Sequence, residues 1–111
     1  MGILLILKIV AALATAATGL LSFVKPDAVY GFTGLTAMGP RGVSEVRAVF
    51  GGLFIALGVA PIVLGQYQIL GIGHLAIALT RTISIFLDKS YARSNLISLG
   101  IEIVFGAVLV A

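Results

Sequence analysis

Ser44-Glu45-Val46-Arg47-Ala48-Val49-Phe50-Gly51-Gly52 leads into an almost wholly apolar run that ends at Gly65. A carboxylate and a guanidinium thus stand at the mouth of a segment long enough to cross a bilayer, whose hydrocarbon core of about 30 Å takes roughly 20 helical residues. A charge at the bilayer centre costs about 2.5–3.5 kcal/mol on insertion scales, so such residues face protein, a water cavity or the interface. The segment reads as a helix over 44–65, with Ser44 as N-cap and Glu45 at the positive end of the helix dipole. Ala48, Gly52, Ala56 and Ala60 form a small-residue row at four-residue spacing, and Gly51, Gly58 and Gly65 form a second row at seven. Small residues at such spacing let helix backbones approach closely in lipid, so this helix is the expected packing hub. Pro61 removes one backbone hydrogen bond near its far end.

Three more apolar runs flank this one, at about 3–24, 69–87 and 95–111. Only 10% of the 111 residues are charged and 60% are hydrophobic. A soluble domain carries about 25% charged residues, so this chain has too few to coat a water-facing surface. The expected fold is all-α: an integral membrane four-helix bundle forming a single domain over 1–111. The first run lacks a basic segment before its apolar core and is interrupted by Lys8, so it reads as a span and not as a cleaved signal. In it, Ala11, Thr15 and Gly19 are spaced by four, as are Ala14, Thr18 and Ser22. Residues 26–43 carry Gly31, Gly34, Gly39 and Pro40 and read as a long loop. The +3 net charge comes from residues at span boundaries. That pattern points to membrane orientation and away from nucleic acid. Lys25, Arg41, Lys89 and Arg93 fall on the loop side opposite the termini, which places both termini outside the cytoplasm.

Depth brings the remaining charges together. Arg81 lies six residues before the end of the third span, about 9 Å from that surface, and Glu102 lies seven residues into the fourth, about 10 Å from it. Antiparallel threading puts Glu45, Arg47, Arg81 and Glu102 in one leaflet as an intramembrane cluster of zero net charge. Ser84, Asn95 and Ser98 are supporting hydrogen-bond partners. Glu45 and Arg47 are two apart and point to different sides of their helix. The expected pairs are therefore Glu45 with Arg81 and Arg47 with Glu102, or the swap. The cluster reads either as a lock on helix register or as a polar site where a substrate, lipid headgroup or proton competes for the charges.

His74 could ligate haem or chlorophyll through one nitrogen, but a lone histidine offers no second ligand. No metal cluster, nucleophile–base pair or phosphate loop stands in the sequence, and the chain has no cysteine. No catalytic residue is assigned and no cofactor is required.

The 44–52 string resembles the hallmark of a bacterial family of four-helix membrane proteins, domain of unknown function 4345 in the DoxX-like group. There the second helix opens with a similar Glu-x-Arg-Ala-x-aromatic-Gly-Gly pattern. Arg81 and Glu102 are similar to that family's polar positions in helices three and four. The resemblance implies a four-helix bundle of bacterial origin and carries no activity. The expected role is a lipid-, quinone- or pigment-binding protein or an accessory subunit of a membrane complex in the bacterial inner membrane. Its partners would be the bilayer and further membrane subunits or copies of itself. A small homo-oligomeric transporter or channel using the Glu/Arg cluster is the alternative, and a lipid-acting enzyme ranks last.

Overall fold

The computed structural model describes residues 2–111. It is all-α among these residues. Helix α1 covers Ile3–Val24 and is followed by a 3-10 turn at Pro26–Val29. A four-residue helix α2 covers Tyr30–Thr33. Next come α3 (Gly39–Glu45), a π-helical segment (Val46–Leu53) and α4 (Phe54–Leu64), which run on as one continuous helix over Gly39–Leu64. Helices α5 (Gln68–Asp88) and α6 (Arg93–Val110) complete the chain. Four helices, Ile3–Val24, Gly39–Leu64, Gln68–Asp88 and Arg93–Val110, are long and apolar enough to cross a membrane. Their outward faces carry Val63, Ile69, Phe86 and Leu87 at 70–76% exposure. Apolar surface on that scale is compatible with contact to lipid.

The second span begins at Gly39, five residues before the expected Ser44. Gly39 adopts φ +76, and Pro40 follows it in the first helical turn, where a missing N–H costs nothing. The pair marks the helix start and not a loop interior. Ser44 is therefore not an N-cap, and Glu45 is not at the dipole's positive end; both lie inside the helix. The expected loop over 26–43 is largely helical, and only residues 34–38 before Gly39 lack regular structure.

The chain divides into two compact units, Ala12–Gly65 and Met1–Ala11 with Gln66–Ala111. In the first unit, α1 lies antiparallel to the Gly39–Leu64 helix along a seam of small residues. A Cβ on Gly58 would stand 2.5 Å from the Ala12 carbonyl oxygen and 2.5 Å from the Ala16 nitrogen. One on Gly19 would meet the Ile55 nitrogen at 2.6 Å and the Gly51 oxygen at 2.7 Å, and one on Gly51 would meet Phe23 Cβ at 2.9 Å. Positions 12, 16, 19 and 23 recur at helical spacing, so these contacts come from one stripe of α1. Ala11, Thr15, Gly19 and Ser22, taken from both expected rows of α1, are also buried. Ser22 Oγ donates to the Thr18 carbonyl at 2.9 Å, which satisfies a hydroxyl only 1% exposed.

Of the two rows expected on the second span, Gly51 and Gly58 from the sevenfold row pack on α1, while Gly65 caps α4 in the left-handed conformation at φ +68. The other row points outward: Ala48, Gly52, Ala56 and Ala60 are exposed, and a Cβ on Gly52 would meet nothing within 4 Å. The four-residue row does share one face of the helix, but it is the outward one.

In the second unit, α5 and α6 pack antiparallel. Gly71 sits against Leu109 and Val110, where a Cβ would come within 2.8 Å of Leu109 Cβ, and Gly106 sits against Leu75. Lys8 Nζ donates to the Ala111 carbonyl at 3.0 Å in the same unit. Helix α5 ends on Lys89 at φ +52, and the Ser90 N–H reaches back to the Ile85 carbonyl at 3.1 Å. This left-handed cap is one that glycine fills without steric cost. Lys89→Gly is expected to raise stability by about 0.5 kcal/mol, because steric relief of about 1–2 kcal/mol outweighs the extra unfolded-state entropy. Denaturation of the two proteins in the same detergent checks it.

Candidate functional site

Arg81 and Glu102 face each other across α5 and α6. Arg81 Nε donates to Glu102 Oε1 at 2.7 Å and Nη2 to Oε2 at 2.8 Å, a two-point clasp. Arg81 Nη1 donates to Asn95 Oδ1 at 2.7 Å. Asn95 Nδ2 in turn donates to the Ser90 carbonyl at 3.1 Å and to Ser90 Oγ at 3.0 Å. The α5–α6 turn, the start of α6 and the middle of both helices are thereby tied together. Glu102 is buried at 9% exposure, while the Arg81 side chain keeps 30%. The two-point geometry fixes guanidinium and carboxylate in one plane, which a lysine could not reproduce.

Beside the clasp lies an open cleft of about 420 Å³, lined by Ala76, Ile77, Thr80, Arg81, Ser84 and Asn95. Thr80 Oγ1 donates to the Ala76 carbonyl at 2.9 Å, and Ser84 Oγ donates to Asp88 Oδ2 at 2.6 Å. Ser84 therefore supports Asp88 and not the Arg81 clasp. Ser98 is half-buried on α6. His74 stacks edge-on against Phe105, with ring centroids 5.7 Å apart. No group of three or more His, Cys, Asp or Glu that could hold a metal occurs among the described residues.

The other two members of the expected cluster belong to the first unit. Glu45 pairs with Arg41 one turn before it, and Arg47 Nη1 donates to the Phe23 carbonyl at 2.8 Å. In place of the expected Glu45–Arg81 with Arg47–Glu102, or the swap, the ion pairs found are Arg41–Glu45 and Arg81–Glu102. The reason is the earlier start of the second helix, which brings Arg41 into i,i+4 reach of Glu45. The same spacing joins Ser84 to Asp88. Both contacts could have been found in the sequence by testing i,i+4 partners on a second helix that begins at Gly39 and a third that runs to Asp88.

No curated protein and no solved structure matches this chain. A family does match over residues 3–111, and by that match the chain belongs to the family described as a domain of unknown function, DUF4345.

Proposed function

We propose that this is a small integral membrane protein that holds a neutral, carbonyl-bearing amphiphile, of the lipid or quinone type, in the cleft beside the Arg81 clasp. The observation that supports it is the half-open guanidinium. Arg81 has five N–H donors, and the three bonds to Glu102 and Asn95 use three of them. Its charge is already balanced by Glu102, so the remaining donors suit a neutral acceptor better than an anion. The walls of the cleft are mostly apolar, with a few fixed polar groups, the usual build of a small-molecule site. Its open side faces the surroundings of α5, where lipid would supply such molecules directly.

Transport through Glu102 is less well supported, because both its oxygens already accept from one guanidinium, a pairing that works against proton cycling. The outward row Ala48, Gly52, Ala56 and Ala60 supports lateral association with partner membrane subunits or with a second copy, and hence an accessory role. Basic residues near the span ends favour the bacterial inner membrane with both termini on the non-cytoplasmic side. The test is organic extraction of protein purified gently from membranes, followed by mass spectrometry. A carbonyl-bearing amphiphile near one per chain is expected in the wild type and absent from the paired replacement Arg81→Met with Glu102→Leu. Equal amounts in both proteins, or none in the wild type, would sink the reading.

A further inference from the structure

We infer a second site, at Arg47, for the phosphate of an anionic amphiphile. Three of the four arginines, all but Arg93 at the start of α6, can be compared directly. Arg41 is paired with Glu45, and Arg81 with Glu102. Arg47 has a carbonyl: Nη1 donates to Phe23 O at 2.8 Å, and no carboxylate of its own unit, Asp27 or Glu45, forms an ion pair with it. Arg47 lies about 12 Å along the helix from Gly39, deep enough that a bare charge is costly. Yet its head reaches the second-last residue of α1, Ile3–Val24. The last carbonyls of a helix lack intrahelical partners and attract cations, so the Phe23 carbonyl pins the guanidinium at the end of α1. That end precedes Lys25 and Pro26, the polar boundary of the span, which is the level of lipid headgroups.

A cleft of about 460 Å³ opens at this point, lined by Phe23, Pro40, Val43, Ser44, Arg47, Ala48 and Gly52. Phe23, Pro40 and Val43 make an apolar bed for the first carbons of an acyl or glyceryl group. Ser44 adds a hydroxyl. Gly52 leaves the floor clear, since a Cβ there would meet nothing within 4 Å. One N–H of Arg47 is spent on Phe23, and the rest of the fork is available for phosphate oxygens, the acceptor it fits best. The site lies in the unit Ala12–Gly65 and stands independently of the Arg81 reading.

The experiment is native mass spectrometry of the full chain in a neutral detergent, titrated with phosphatidylglycerol, phosphatidylcholine or inorganic phosphate. The wild type is expected to bind phosphatidylglycerol at least tenfold tighter than phosphatidylcholine. Arg47→Gln should erase that preference, and Arg41→Gln should leave it within twofold. Ser44→Leu fills the cleft without touching the Arg47–Phe23 bond, and is expected to weaken phosphatidylglycerol binding at least fivefold even if Arg47→Gln does not fold. The paired Arg81→Met and Glu102→Leu protein should keep the preference, which separates this site from the other. Equal binding of the two lipids, or a preference that survives both Arg47→Gln and Ser44→Leu, overturns the site. Full displacement of phosphatidylglycerol by millimolar inorganic phosphate would assign the cleft to free phosphate and overturn the lipid.

Discussion

Glu102→Gln is expected to destabilise the protein by about 2–4 kcal/mol, and adding Arg81→Met with leucine in place of glutamine at 102 is expected to recover most of that loss. Removing one partner of a buried ion pair typically costs about 3–5 kcal/mol, because the other charge stays behind uncompensated. Arg81 keeps 30% of its side chain exposed, so solvent relieves part of that penalty, and the lower range follows. Glutamine can hold one of the two bonds but supplies no charge. The paired apolar replacement removes the desolvation of both groups, and ion pairs replaced in this way are often neutral or even gain stability. Asn95 would lose its bond to Arg81 at a cost of about 1 kcal/mol, but it keeps Ser90. Helicity followed through a denaturant titration in micelles gives both numbers. A single replacement that costs under about 0.5 kcal/mol, or a paired one worse than the single, would show that the clasp does not hold α5 to α6. Because the paired protein is expected to fold, it also separates the structural contribution of the clasp from ligand binding in its cleft.

Much of this was legible in the sequence, and the rest failed for definable reasons. Four apolar runs, each close to bilayer length, gave the all-α class and three of the four span starts to within two residues. Arg81 and Glu102 were placed at matching depths by counting residues from the turn between them, and Asn95 by its helical spacing from Glu102. A count of that kind is dependable when two helices share a short turn. It was not dependable for Glu45 and Arg47, because Gly39-Pro40 reads equally as a turn and as a helix start. Taking it as a turn left Arg41 in a loop and hid its pairing with Glu45. The π-helical geometry of Val46–Leu53 has no signature in Val-Arg-Ala-Val-Phe-Gly-Gly-Leu that periodicity could reveal. The row through Ala48 and Gly52 passed for a packing face because small residues at four-residue spacing mark a face without showing what lies against it, when the packing glycines are one residue before Gly52 and seven beyond that, at Gly51 and Gly58.

The glycines of the second span provide the sharpest test of that seam. Gly58→Val is expected to cost about 3 kcal/mol or more, whereas Gly52→Ala, in the same continuous helix, is expected to be neutral or to gain up to about 1 kcal/mol. Overpacking usually costs about 1–3 kcal/mol, and the low end applies where a flexible side chain can swing away. At Gly58 the neighbours are the Ala12 carbonyl and the Ala16 nitrogen, both backbone atoms within a rigid helix. Relief therefore requires α1 to move as a body. That would pull Gly19 off Ile55 and Phe23 off Gly51, since all these residues lie on one stripe. In the detergent of the assay, as in lipid, apolar helices gain no hydrophobic reward for associating, so close backbone packing of the kind valine would break is a main source of cohesion. At Gly52 nothing stands within 4 Å, and alanine improves helix propensity by up to about 1 kcal/mol. Parallel denaturation of the two variants in one detergent measures the difference. A gap under about 1 kcal/mol would mean that α1 is not seated on Gly58 and that the antiparallel seam is wrong. A large loss at Gly52 would instead show that the outward row is buried in the assembled protein, against a second copy or another subunit.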